Sequence, residues 1–387
     1  MGHIAATRRV YLLYGNGGGG HKATANALQE ILMARNPSWD VKMMDIASVA
    51  GGGPGDQFYN LCMEKSWFGV IPVLHLTARL MSGVVGPVIR GKLTAFWSSL
   101  PPADIVVSLV PFLNPAIMET YKGAVHYTVM TDFTHSEGHP WIQDTRQKIF
   151  CGTEESYKQA IAMGMPEKNV IRTSGMVVSP SFYSKYSADE LASIRSQLDF
   201  RIDAITALVC FGAMPPTQNT KVLVIALLRK GFNVIVLCAK NHQLLDYFLN
   251  LKMKYKELCL YSKNYTRNIP LYMQLSHMVI GKPGPGVVSE AIVSRRPMVL
   301  YSVGGHIMDQ EKAVEDWVLK NNIGTSANNV NEASSISREE LDRMSAAYQN
   351  LRENHAVFEV CEKLDQTECP HTQIVGSTYN VRELAQS

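Results

Sequence analysis

The sequence has little charge of either sign and no strong overall excess of one. Its 37 Lys and Arg oppose 34 Asp and Glu, the charged residues make up 18% of 387, and the formal balance is +3. A nucleic-acid surface needs a basic patch or stripe that this balance does not supply, so no nucleic-acid partner is expected. The seven cysteines are odd in number and form no C-x-x-C pair, which argues for a reducing compartment and against a structural zinc. Short repeats and low-complexity tracts are absent. The apolar run Val10-Tyr11-Leu12-Leu13 behind Arg8-Arg9 is too short for a signal-peptide core and lacks a small-residue cleavage site, so secretion is not expected. Between Lys65 and Arg90 only Arg79 is charged, but Gly69, Pro72, Gly83 and Pro87 interrupt the stretch, which disfavours a membrane-spanning helix.

Apolar material is plentiful. At 46% of the chain it suffices for two or three domains of roughly 150 residues each. Short apolar runs followed by turn residues and then helical periodicity recur, which predicts βα units on parallel sheets. In the first half the predicted strands are Val10–Leu13, Val41–Ile46, Ile105–Val110, Val125–Thr131 and Lys148–Cys151; in the second they are Ala204–Phe211, Phe232–Cys238, Leu258–Tyr261, His277–Gly281 and Pro297–Tyr301. The break falls near Val177–Lys185, where Gly175 and Pro180 precede a capping-box pattern, Ser187-Ala-Asp-Glu190. Residues 1–178 and 179–366 are thus expected to form two α/β lobes, with a polar tail over 367–387.

Three segments carry groups suited to chemistry. Tyr14-Gly15-Asn16-Gly17-Gly18-Gly19-Gly20-His21-Lys22 follows the first strand and opens a helix, where backbone N–H groups and the helix dipole meet an anion or a reacting oxygen. Gly15, Gly17 and Gly20 also satisfy G-x-G-x-x-G, and with Asp40 or Asp45 as a ribose ligand they give an alternative reading, a nicotinamide-dependent oxidoreductase. His21 reads as a general base kept neutral by the helix start, or as a capping or packing histidine. Thr131-Asp132-Phe133-Thr134-His135-Ser136-Glu137-Gly138-His139-Pro140-Trp141 ends the fourth strand, where open α/β sheets bind ligands, in a spacing that matches no zinc pattern. Trp141 suits stacking on a sugar and core packing equally. In the second half, Gly281-Lys282-Pro283-Gly284-Pro285-Gly286 again joins a strand to a helix. Glu290 on that helix can reach ribose hydroxyls, and Asp309-Gln310-Glu311-Lys312 can hydrogen-bond a sugar. No D-x-D occurs, so no metal clamp is expected and helix dipoles would have to neutralise a diphosphate.

This combination resembles the monogalactosyldiacylglycerol synthase and processive diacylglycerol glucosyltransferase group of glycosyltransferase family 28. Gly17-Gly18-Gly19-Gly20-His21-Lys22-Ala23 is similar to that group's GGGHxA loop, and Thr131-Asp132 with His139-Pro140 and Trp141 to its TD…HPxW segment. Lys282-Pro283-Gly284-Pro285-Gly286 with Glu290-Ala291 resembles its KAGPGTxxEA, and Gln310-Glu311-Lys312 its GQEK. Phe211-Gly212-Ala213-Met214-Pro215-Pro216 departs from the glycine-rich phosphate loop usual in the family, and so does Gly304-Gly305-His306-Ile307-Met308-Asp309 from its PGQE run.

The resemblance implies the GT-B fold, two Rossmann-like domains whose parallel sheets face each other across a cleft. It implies an inverting hexosyl transfer, without metal or cofactor, from a UDP-sugar to a lipid acceptor such as diacylglycerol. Transfer to a soluble or polyprenyl-linked acceptor is its near alternative. By the same resemblance His21 is the base and Asp132 and His139 assist it. Asn268, Gly284, Pro285, Gly286, Glu290, Gln310 and Glu311 hold the donor, while Gly18, Gly19, Gly20 and Trp141 lie on the acceptor side. The apolar stretch from Gln57 to Trp97, with Trp67, Phe68, Val70 and Ile71, sits where this group approaches the bilayer. It reads as shallow docking on an anionic membrane, from the cytoplasmic face, or as two core helices.

Overall fold

The computed structural model describes residues 8–16, 19–51, 82–134, 139–213, 215–302 and 309–368. In the first lobe β1 (Arg9–Tyr14), β2 (Asp40–Asp45), β3 (Ile105–Ser108), β4 (Val125–Val129), β5 (Lys148–Cys151) and β6 (Val170–Arg172) form one sheet in the order β2-β1-β3-β4-β5-β6. The second lobe repeats the plan with β7 (Thr206–Val209), β8 (Asn233–Ala239), β9 (Leu260–Asn264), β10 (Met278–Gly281), β11 (Met298–Tyr301) and β12 (Gly324–Ala327), ordered β12-β11-β10-β7-β8-β9. All pairings are parallel.

The strands are runs of apolar residues because helices cover both faces of each sheet. Val10 and Leu12 pack on one side with Leu28 and Leu32 of the Gly20–Arg35 helix, while Tyr11 and Leu13 pack on the other with Leu93, Trp97 and Ile117. In the second sheet Val209 and Leu208 divide in the same way. Each sheet reverses its order of assembly once, between β1 and β3 and between β7 and β10. Such reversals leave a crevice at the carboxyl ends of the strands. Gly281 is obligatory at the second reversal, since a Cβ there would collide with the carbonyl oxygen of Cys210.

The expected capping box is present. Ser187 accepts from the Glu190 N–H, and Glu190 accepts from the Ser187 N–H, at the start of helix Ala188–Gln197. Two sequence expectations need correction. The Gly324–Ala327 strand was not foreseen; its small and hydroxylic residues carry no apolar signal, and it lies at a sheet edge. The helix Ala356–Asp365, expected in the second lobe, packs on the first. Val357, Val360, Cys361 and Leu364 join the core of Val10, Leu12 and Leu28, and Arg35 pairs with Asp365 at 2.7 Å.

The stretch around Trp67, Phe68, Val70 and Ile71 lies outside the described residues. From Ser82 a helix runs to Ser98 with Pro87 inside it; Leu93 and Trp97 are core residues, and Trp97 Nε1 donates to Thr120 Oγ1 at 3.0 Å. Val88, Arg90 and Lys92 of this helix are exposed. Among the described residues no helix is long and apolar enough to cross a membrane.

Because the last helix belongs to the first lobe, Leu364→Ala should cost about 2–5 kcal/mol, the usual range for a buried leucine. Its effect should appear as lost amide-exchange protection in the Gly20–Arg35 helix. Loss confined to the β7–β12 lobe would contradict this packing.

Candidate active site

Both sheet reversals open on one cleft of about 220 Å³, lined from the first lobe by Gly20, His21 and Asp132 and from the second by Lys282, Glu290 and Glu311. Gly19 stands before the Gly20–Arg35 helix with φ 85°, a left-handed conformation that favours glycine. A Cβ at Gly19 would lie 3.6 Å from the Cβ of Ala213, so the first lobe's glycine turn touches the second lobe's β7 turn. Gly18 lies outside the described residues. No side chain caps the helix start, which leaves its first-turn N–H groups for a ligand.

His21 is the second residue of this helix and lines the cleft. Its Nδ1 lies 3.4 Å from Thr131 Oγ1, and its ring centroid is 5.6 Å from that of Trp141. Trp141 Nε1 in turn donates to Asp132 Oδ2 at 2.7 Å. The structure thus brings His21, Asp132 and Trp141 together, and it revises two expected roles. Trp141 is fully buried, so its ring backs His21 rather than offering a face to the acceptor. His139 is buried and is not part of the cleft wall. Its Nδ1 accepts from the backbone N–H groups of Trp141 (3.1 Å) and Ile142 (3.2 Å), which fixes the turn that carries Trp141. Gln147 Nε2 and Asn114 Nδ2 also donate to the Trp141 carbonyl, at 2.9 and 3.3 Å.

In the second lobe Gly284 precedes the helix Pro285–Val293, again without a side-chain cap. A Cβ on Gly286 would meet nothing within 4 Å, so the space above the first turn is open to a ligand. Glu290, one turn further on, is half-buried, and its carboxyl has no hydrogen-bond partner among the described residues. Burial holds its carboxyl up at about 8. Gln310 and Glu311 also line the cleft from this lobe, and the buried Glu311 pairs with Lys282, Nζ to Oε1 2.9 Å.

Asn268, expected at the donor, is exposed, accepts from the Tyr186 hydroxyl at 3.0 Å and is not part of the cleft wall. Conversely, Gly212 and Ala213 line the cleft although their loop departs from the family pattern. Sequence reasoning gave no role to Lys282 or Thr131. The available signal was position: a cation and a hydroxyl just past the carboxyl ends of β10 and β4. Burial pushes the thiols of Cys151, Cys210, Cys238 and Cys361 up to about 12, so these cysteines are un-ionised packing groups at neutral pH. Among the described residues no three His, Cys, Asp or Glu side chains form a metal-binding group.

The raised carboxyl gives a pH signature. An unfolded glutamate titrates near about 4.3. Between that pH and about 8 the folded protein keeps a proton that the unfolded chain has lost, so rising pH removes stability across this window. Glu290→Gln abolishes this loss. The ligand-free variant should match the parent's Tm near the lower limit, exceed it increasingly as pH rises to about 8, and hold a constant advantage above about 8. A Tm difference independent of pH would show that the carboxyl is ionised throughout.

No protein-family model matches the chain. Among curated proteins it is similar to monogalactosyldiacylglycerol synthase 2 of Arabidopsis thaliana, 22% identical over 97% of this chain and 84% of the relative. Among solved structures it is similar to UGT89C1 of Arabidopsis thaliana complexed with UDP-L-rhamnose, with a TM-score of 0.58, 12% identity and coverage of 93% of this chain and 98% of the other. MurG of Acinetobacter baumannii gives a TM-score of 0.56 at 12% identity, covering 93% of this chain and all of that one. The fold is therefore GT-B, and the group that the motifs resemble is matched along nearly the whole chain.

Proposed function

We propose, from a GT-B cleft in a chain similar along its length to a monogalactosyldiacylglycerol synthase, that this protein is a glycosyltransferase moving a hexose from a UDP-sugar to a lipid hydroxyl. The observation that carries the reading is the meeting of two uncapped helix starts in one cleft, one bearing His21 and the other followed by Glu290. The Gly284–Gly286 turn offers N–H groups and open space to a diphosphate. Glu290 accepts from ribose hydroxyls, which would supply the partners it lacks, and Gln310 and Glu311 bond the hexose.

On the other wall the imidazole of His21 takes the proton of the acceptor hydroxyl as its oxygen attacks C1. Attack from the face opposite UDP inverts the anomeric centre. Trp141 and Thr131 hold the ring in place, Asp132 fixes Trp141, and His139 acts at one remove by fixing the Trp141 turn. No metal or other cofactor enters this chemistry. A lipid acceptor implies work at a membrane surface on the cytoplasmic side, and the segment from Gln57 to Trp97, with Lys65, Arg79, Arg90 and Lys92 against Glu64, supplies apolar and basic groups for shallow docking on anionic lipid.

The test offers a panel of UDP-hexoses with diacylglycerol in anionic vesicles and follows UDP release and the anomeric configuration of the glycolipid by NMR. We expect an inverted product with at least one hexose. His21→Ala should lower turnover about 100-fold to 10,000-fold, the range for loss of a general base, while UDP affinity is retained. Transfer by His21→Ala at the parent rate would refute the base. UDP release only with soluble or polyprenyl-linked alcohols would move the acceptor class.

A further inference from the structure

The charge balance inside the cleft leaves one side chain without an assigned task. Among the described residues lining it, Asp132, Glu290 and Glu311 are carboxyls, and Lys282 is the sole lysine or arginine. A nucleotide-sugar donor adds a diphosphate with two negative charges, and transfer concentrates further charge on the bridging oxygen as it leaves. Two helix starts supply roughly half a positive charge each, which does not neutralise that load.

Lys282 is placed to make up the difference. It follows β10 directly and stands two residues before Gly284, whose N–H bonds back to the Lys282 carbonyl at 2.7 Å. Its side chain is 32% exposed, against 6% for Glu311, so one end of the pair is open to the cleft and the other fixed in the wall. A lysine ammonium on a four-carbon stem can change partner at small cost.

We propose that Lys282 is the leaving-group residue: in the free protein it neutralises Glu311, and on donor binding it turns to the β-phosphate while the hexose hydroxyls take over Glu311. This assignment rests on the UDP-sugar reading above. During transfer the acceptor oxygen bonds to C1 and its proton goes to His21. The bond from C1 to the β-phosphate oxygen breaks with its electron pair remaining on that oxygen, where the Lys282 ammonium donates a hydrogen bond. Lys282 stays protonated throughout.

UDP and UMP differ at the β-phosphate, so their affinities separate this role from a structural one. Titration calorimetry on the parent, Lys282→Gln, Lys282→Arg and Glu311→Gln proteins should show Lys282→Gln weakening UDP about tenfold to hundredfold, as expected for one charge-assisted hydrogen bond. UMP affinity should be unchanged, and Lys282→Arg should restore part of the UDP preference. Glu311→Gln, which frees the lysine, should keep or raise the parent's UDP-to-UMP ratio, and turnover with the UDP-hexose should fall in Lys282→Gln even at saturating donor. Equal weakening of UDP and UMP, or the same ratio change in Glu311→Gln, would overturn the assignment by showing that the lysine only supports the wall. A parent protein that binds neither nucleotide would overturn the donor reading, and the lysine's role with it.

Discussion

Phe133 holds the two lobes in register. It belongs by sequence to the first lobe, directly after Asp132, yet it is buried in the second lobe's core beside Val288 and meets Trp317 edge-on at 5.3 Å. Burying a phenylalanine contributes about 2–3 kcal/mol. The neighbouring bridge from Lys320 to Glu155 is solvent-exposed at the lysine end, and such pairs contribute at most about 1 kcal/mol. Of these two contacts the apolar one therefore contributes more. Its position matters because Asp132 holds Trp141, which backs His21, whereas Trp317 lies on the Asp309–Lys320 helix that begins with Gln310 and Glu311. The group around His21 and the helix that carries Gln310 and Glu311 are thus linked through this ring-to-ring contact.

Placing two helix starts opposite each other solves an electrostatic problem and creates another. Both termini favour an anion, which suits a diphosphate. The second problem is that the enclosed cleft buries carboxyls, and burial opposes their charge. Glu290 meets it by staying protonated up to about 8, and Glu311 by pairing with Lys282. Asp132 meets it by accepting from an indole N–H, which supplies a donor without adding charge.

Most of the strands were legible because a parallel sheet covered on both faces must be written as uninterrupted apolar runs, and those runs stand out from their flanks. Two of the glycines have a steric reason: Gly19 has a left-handed φ, and Gly281 abuts Cys210. What escaped depended on contacts between distant parts of the chain. The Ala356–Asp365 helix is amphipathic in either lobe, and only its fit against Leu28 and Val10 assigns it to the first. His139 and Trp141 carry the right chemistry for a site, but burial and two backbone N–H donors turn one into a brace and the other into a backing plate. Asn268 failed for the converse reason, since exposure and the Tyr186 hydroxyl keep it on the surface.

The dinucleotide reading of the first glycine turn meets its difficulty at the acidic residues it needs. Asp40 opens β2, at the end of the strand remote from the turn, and pairs with Arg9 at 2.7 Å. Asp45 closes β2 at the correct end, but it caps the Ile46–Ala50 helix by accepting from the Ser48 N–H at 3.1 Å and also accepts from the Asn16 amide. A ribose would have to displace that cap, at about 1 kcal/mol, and break the bond that steadies the glycine turn itself. In the second lobe Glu290 occupies the corresponding task without any such commitment: its carboxyl lines the cleft, has no partner among the described residues and is held near neutrality until a hydroxyl-bearing ligand arrives. In the proposed reaction the nucleotide therefore goes with the turn whose acid is unengaged, and the other turn presents His21 to the incoming alcohol.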